Sequence, residues 1–172
     1  MDNQMTTDRL LLRGLQLRDL PDFYELVSNP SVLRFEPYSV MSLLQAEAEL
    51  TERIKSRSFT AAVLKDTLKM IGIVYLGKRD YSAVELGFLF NQHYWGKGYA
   101  GESCEALIRD AFLRGTNRVY AECDPDNTAS WKLLERLGFE KEGHLRRNVY
   151  FKTDELGKPI WKDTFIYSLL NG

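Results

Sequence analysis

The 172-residue sequence predicts an α/β fold on a mixed sheet. Strand-like and helix-like stretches alternate along the chain with no linker, repeat or low-complexity run between them. Three strand-like stretches follow one another between residues 58 and 90, which suits an antiparallel meander and breaks a simple β-α-β alternation. The best helix in the sequence, 99–114, is strongly amphipathic and starts on a glycine-rich turn. A chain of this length buries about 70% of its unfolded surface in one core, so residues 1–172 are expected to form a single domain.

Each element has its own warrant. "RLLLRGLQL" (9–17) reads as a first strand. "RDLPDFYELVSNP" (18–30) reads as a helix capped by Asp19, with Leu20, Phe23, Leu26 and Val27 on one stripe and Asn29-Pro30 as its stop. A second helix follows over 39–56, capped by Ser39 or Ser42, with Leu43, Leu50 and Ile54 at near-helical spacing. "SFTAAVLK", "KMIGIVYLGKR" and "AVELGFLF" are three strands separated by "DTL" and "DYS". Over 99–114, Ala100, Cys104, Leu107, Ala111 and Phe112 share a face, and Gly115 stands where the helix ends. "RVYAECD" is a strand. "NTASWKLLERLGF" is a short helix capped by Asn127 and closed by Gly138, with apolar Phe139 after it. "HLRRNVYFK" and "IWKDTFIYSLL" close the chain as two strands joined by "TDELGKP".

Composition narrows the function. With 44% hydrophobic and 27% charged residues and a net charge of -1, the chain matches ordinary globular proteins and not nucleic-acid binders. No stretch approaches the roughly 18 apolar residues of a membrane helix, and Asp2, Asp8, Arg9 and Asp19 occupy the place of an apolar signal core. A cytoplasmic location is expected. Cys104 and Cys123 lie far apart inside apolar elements and read as buried thiols. His93 and His144 have no partner at ligand spacing, so no metal is expected.

Gly96, Gly98 and Gly101 stand in the spacing G-x-G-x-x-G. Unpaired amides and the positive end of a helix dipole at such a turn suit an anion, which points to phosphate. A dinucleotide site is one reading, with Glu122 near the place of a ribose contact. Against it, "NQHYW" separates the strand from Gly96, and the motif follows an antiparallel meander with too little chain left for a doubly wound sheet. NAD(P) binding stays open as the alternative.

"YWGKGYAGESCEALIRDAF" followed by "RVYAECDPDNTASWKLLERLGFEKEGHLR" resembles the GNAT superfamily of acetyl-coenzyme A dependent N-acetyltransferases, and within it the RimJ/RimL-like branch that acetylates ribosomal-protein N-termini. The resemblance extends from "RLLLRGLQLRDLPDFYEL" to "WKDTFIYSLL". It implies about seven mostly antiparallel strands flanked by four helices. It also implies acetyl-coenzyme A as donor: amides of Gly96, Lys97, Gly98, Tyr99 and Ala100, beside Trp95, at the diphosphate, and the backbone of Phe88, Leu89 and Phe90 along the pantetheine arm. Asn127 would bond a pantetheine amide, and Ser130 would stand near the leaving sulfur. His93 occupies a place where the family usually has Gln or Arg. Leu134 occupies one where many members have the Tyr that protonates the thiolate.

A general base must take a proton from the acceptor ammonium. Glu85, on the strand of Phe88 to Phe90 and sharing a face with Gly87 and Leu89, is the first candidate; Glu122 and His93 are the others. Direct transfer of the acetyl group is expected, since the only thiols for a covalent route are buried. The acceptor side draws on Phe35, Tyr38, Tyr150, Trp161, Arg34, Glu36, Arg146 and Arg147, where neither sign of charge dominates. A peptide α-amine, such as a ribosomal-protein N-terminus, is the first expectation. A small-molecule amine and a non-catalytic coenzyme A-binding module are the alternatives. A final strand at the sheet edge would allow a monomer or a homodimer.

Overall fold

A computed structural model describes residues 4–172. Asp2 lies outside the described residues. The strands are β1 (Met5–Thr6), β2 (Leu10–Gly14), β3 (Phe59–Leu64), β4 (Met70–Lys78), β5 (Ala83–Phe90), β6 (Arg118–Cys123), β7 (Glu140–Thr153) and β8 (Pro159–Leu170). The helices are α1 (Leu20–Val27), α2 (Leu43–Ser56), α3 (Tyr99–Leu113) and α4 (Thr128–Arg136). One eight-stranded sheet runs in the order β1-β2-β3-β4-β5-β6-β8-β7. The eighth strand is the two-residue β1, which pairs with β2. Every neighbouring pair is antiparallel except β5 and β6. That parallel pair needs a crossover, which α3 supplies.

The helices sort onto the two faces of the sheet. Phe23, Leu26 and Val27 of α1 and Ala46 and Leu50 of α2 pack with Ala61, Val63, Met70, Ile73 and Leu89 of the strands. On the other face, Cys104, Leu107 and Ile108 of α3 and Leu134 of α4 pack with Leu10, Leu12, Ile71, Leu86, Val119 and Tyr167. Alternation along β5 therefore turns Leu86 to one face and Leu89 to the other.

Several local expectations need correction. Asp19 does not cap α1 through its side chain. Its carboxylate accepts from Nη1 and Nη2 of Arg13 at 2.8 and 2.7 Å and from the Gln16 amide at 2.8 Å, a buried ion pair that outcompetes the cap. Ser42, not Ser39, caps α2: its hydroxyl accepts from the Gln45 amide, and Gln45 Oε1 accepts from the Ser42 amide. Leu43 is 52% exposed, so the buried stripe of α2 is Ala46, Leu50 and Arg53 instead. The last strand, β8, lies between β6 and β7, which leaves β7 as the sheet edge. Asn127 does cap α4, accepting from the Ser130 amide at 3.3 Å. Gly138, at φ +87°, closes that helix, and Phe139 behind it is buried.

Candidate active site

The decisive feature is where β5 and β6 part. Their parallel pairing comprises Ala83↔Arg118, Val84↔Val119 and Glu85↔Tyr120, and stops there. From Leu86 to Phe90 the β6-facing edge of β5 has no strand alongside it, although β4 pairs with its other edge throughout. An open edge of this kind offers backbone donors and acceptors to an extended, amide-bearing ligand.

The chain leaves β5 through Asn91, whose Oδ1 accepts from the His93 amide, and through a single turn over Gln92–Tyr94. Trp95 folds back, its indole N–H donating to the Phe90 carbonyl at 2.7 Å. Gly96 and Gly98 then take left-handed φ values of +72° and +83°, which glycine adopts without cost. Gly98 precedes α3, and no side chain caps the first turn. A Cβ built on Gly96 would meet nothing within 4 Å, so the backbone there is open. Uncapped amides at the start of a fifteen-residue helix, beside Lys97, form a cradle that fits a diphosphate.

Where the strands separate lies a cleft of about 730 Å³. Glu85, Phe88, Leu89, Glu122, Asn127 and Ser130 all line it. Phe90 does not: its side chain is buried, and its carbonyl belongs to Trp95. His93 is exposed at the turn, outside the cleft lining. Leu134, on α4, is fully buried in the core and is absent from the cleft lining.

The residues expected on an acceptor side are placed differently from the sequence-based expectation, and so is their charge. Val149 and Phe151 face the cleft, whereas Tyr150 stacks edge-on against Trp161 with centroids 5.2 Å apart, outside the lining. Phe35, Glu36 and Tyr38 line the cleft; Arg34, Arg146 and Arg147 do not. The lining carries five carboxylates (Glu36, Glu85, Glu122, Asp124 and Asp163) against the cations Arg53 and Lys162, so negative charge dominates where a balance was expected.

These charges are arranged by specific partners. Arg79, which the sequence did not single out, bonds Glu85 and donates to the Tyr75 and Tyr120 hydroxyls at 3.3 Å each. Glu122 lies on the open side of the cleft, yet partial desolvation and then the Glu85 carboxylate raise its pKa above the usual carboxylate range, with Arg79 opposing. Burial likewise raises Glu36, against the opposing Tyr38 hydroxyl and Arg53. Arg53 is itself held over the rings of Phe23, Tyr38 and Phe59. Lys162 is tied to Asp124 at 2.7 Å. Burial pushes the Cys104 thiol up to about 12 and, helped by Asp124, the Cys123 thiol up to about 11. Among the described residues no group of three or more His, Cys, Asp or Glu side chains is placed to hold a metal ion. No helix among them is long and apolar enough to cross a membrane.

Residues 9–140 match the family model of the GNAT acetyltransferase domain. This chain belongs to the GNAT acetyltransferases. The N-acetyltransferase p20 of Bacillus licheniformis is 32% identical over 174 residues, covering 95% of this chain and 94% of p20. The ribosomal protein uS5-alanine N-acetyltransferase of Escherichia coli is 29% identical over 159 residues, 83% of this chain and 81% of that enzyme. The crystal structure of a GNAT-family acetyltransferase from Bacillus anthracis superposes with a TM-score of 0.87 at 24% identity, covering 98% of each chain. The protein is thus an N-acetyltransferase, and the donor of its family is acetyl-coenzyme A. Its sheet, with one parallel pair, is not the doubly wound sheet of a dinucleotide-binding domain.

Proposed function

We propose that this GNAT enzyme moves an acetyl group from acetyl-coenzyme A to the α-amine of a protein or peptide by direct transfer. The observation that carries the donor half is the open β5 edge beside the uncapped start of α3. Acetyl-coenzyme A supplies an activated acyl group as its thioester. Amides of Gly96 to Ala100, with Lys97, hold the diphosphate at the positive end of α3. On the open β5 edge alternate residues face outward, so the backbone of Phe88 and the Phe90 N–H bond the pantetheine arm from one side, while the Leu89 backbone stays paired with Ile73 of β4. Asn127 bonds the arm from the other side. One free N–H of that edge faces the thioester oxygen, where negative charge grows as the amine attacks.

Proton traffic falls to carboxylates and one hydroxyl. Burial and then the Glu85 carboxylate, which Arg79 bonds, raise the pKa of Glu122, and the two carboxylates act as one pair that takes the proton from the acceptor ammonium. Ser130, at the start of α4, donates a hydrogen bond to the leaving sulfur, a role Leu134 cannot fill. Direct transfer draws support from the thiols: Cys104 is fully buried, and Cys123, at the cleft wall, has its pKa pushed up by burial and by Asp124.

A protein α-amine acceptor draws support from the E. coli relative, whose name specifies an alanine of ribosomal protein uS5. The excess of carboxylates in the cleft favours a second reading, a small cationic amine. Free thiol release from acetyl-coenzyme A, followed with a panel of peptides differing in N-terminal residue and a parallel panel of diamines, separates the two. Release with peptides carrying a free N-terminus, and none with N-blocked peptides that contain lysine, is the expected result; release with diamines alone would replace the peptide reading. Thermal unfolding with coenzyme A and with NADPH tests the donor site, and stabilisation by the nicotinamide nucleotide only would overturn it.

A further inference from the structure

The glycine loop is not held by its own residues. Arg9, at the turn between β1 and β2, reaches it from 88 residues away in sequence. Its Nη1 donates to the Lys97 carbonyl at 2.9 Å, and its Nε donates to Glu102 Oε2 at 2.7 Å in the first turn of α3. The backbone N–H of Arg9 and the Thr7 hydroxyl both donate to Glu102 Oε1, at 2.9 and 2.5 Å. The guanidinium lies 4.2 Å from the centroid of the Tyr99 ring. Its remaining nitrogen, Nη2, sits 3.3 Å from where a Cβ of Gly98 would be.

Two consequences follow from elementary geometry and charge. The peptide bond between Lys97 and Gly98 is trans, so its C=O and N–H point in opposite directions. With the carbonyl bound to Arg9, the Gly98 N–H points away from the hairpin, toward the open side of the loop. Glu102 is an anion in the same helical turn that must receive a diphosphate. Arg9 cancels that charge at contact distance, which removes the repulsion.

We infer that Arg9 is a positioning residue for the donor: it aims the Gly98 amide into the diphosphate cradle and neutralises Glu102 beneath it. The inference rests on reading this loop as the coenzyme A diphosphate site. It touches neither the thioester nor the acceptor, so it acts on donor affinity and not on the chemical step.

The test compares acetyl-coenzyme A with S-acetylpantetheine, which has the thioester and the amide arm but no diphosphate. In Arg9→Met, calorimetric Kd for coenzyme A and KM for acetyl-coenzyme A should each rise about tenfold, kcat should stay within about twofold, and kcat/KM for acetylpantetheine should stay within about twofold. Arg9→Lys keeps a cation near Glu102 but cannot bond both Glu102 and the Lys97 carbonyl in a fixed fork, so it should fall between wild type and Arg9→Met. It also serves where Arg9→Met does not fold. The double variant Arg9→Met/Glu102→Gln should recover part of the coenzyme A affinity, because the uncancelled charge is gone. Equal losses with both donors would mean that Arg9 only stabilises the fold, and unchanged coenzyme A affinity would remove it from the site; either overturns the proposal. If the wild-type enzyme uses acetylpantetheine as well as acetyl-coenzyme A and does not bind coenzyme A more tightly than pantetheine, the loop is not a diphosphate site and both readings fall.

Discussion

Alanine at Gly98 and at Gly96 makes a matched pair of perturbations of the loop. Both glycines have left-handed φ, +83° and +72°, and an L-residue there costs about 1–2 kcal/mol. They differ in what the new methyl group meets. At Gly96 it meets nothing within 4 Å, whereas at Gly98 it comes 3.3 Å from Arg9 Nη2, tighter than an ordinary contact. The guanidinium must then move, at the expense of its bonds to Lys97 and Glu102. A hydrogen bond to a charged group contributes about 1.5–3 kcal/mol when shielded, but the Arg9 side chain is 44% exposed, and solvent screening brings the loss down to about 1 kcal/mol. Gly96→Ala should therefore cost about 1–2 kcal/mol and Gly98→Ala about 2–3 kcal/mol in urea unfolding. At roughly 2–4 °C per kcal/mol for a domain of this size, melting curves resolve the difference. In an Arg9→Met background the Gly98→Ala cost should fall to that of Gly96→Ala, a coupling of about 1 kcal/mol in the double-mutant cycle. Equal costs at the two glycines, or strict additivity with Arg9→Met, would refute the clamp.

Other perturbations probe the chemistry and the frame. If the Glu85–Glu122 pair takes the proton, wild-type kcat rises with pH as Glu122, with its raised pKa, deprotonates; Glu122→Gln should flatten that limb and lower kcat by about 10²–10³. Glu85→Gln removes a charge that raises Glu122, so the limb should move to lower pH, and a limb that stays put would break the assignment. Cys104→Ala and Cys123→Ser should both retain kcat, checked by burst kinetics, since direct transfer needs neither thiol; loss of a pre-steady-state burst in one of them would identify an acyl-enzyme. Glu142, held by Arg118 and Ser168, has its pKa lowered to about 2. Because this folded value is depressed, its contribution is present above the unfolded value of 4.5 and is lost as pH falls toward about 2. The melting temperature of Glu142→Gln should lie below wild type at pH 6 and converge with it by pH 2, and a gap that persists there would assign the effect to packing.

What could be read from the sequence and what could not divide along a physical line. The meander, the helix on the glycines and the cap at Asn127 all rest on contacts within a few residues, and each is found in the structure. Asp19 had the right residue type and position for a cap, but a carboxylate goes to the strongest donor in reach, and Arg13 offers a buried guanidinium. The side chains of the last hairpin were misassigned because strand register decides which neighbour faces inward: Val149 and Phe151 line the cleft, and Tyr150 does not. The acidity of the cleft was invisible because its carboxylates come from residues as far apart as Glu36 and Asp163. Arg9 resembled any strand-end charge, and only the fold brings it to Lys97 and Glu102.

The single parallel pair explains why the proposed donor and acceptor sites meet at one place in this sheet. Parallel strands bring their carboxyl ends to the same side, so the chain leaving β5 and the chain leaving β6 both turn into a helix there. The starts of α3 and α4 therefore stand at the two edges of the same opening, one uncapped and lined with glycine amides, the other capped by Asn127 with Ser130 behind it. An antiparallel β6 would have carried the start of α4 to the opposite end of the sheet. Ending the pairing at Glu85↔Tyr120 does two things at once: it leaves the outward-facing backbone groups of Leu86 and Phe88 and the Phe90 N–H without a strand partner, and it brings Glu85 and Glu122 to the point where the strands diverge. The proposed donor cradle, the open edge and the proposed proton acceptor are in this sense one feature of topology, and the N-terminal hairpin carries Arg9 to the outer rim of that cradle.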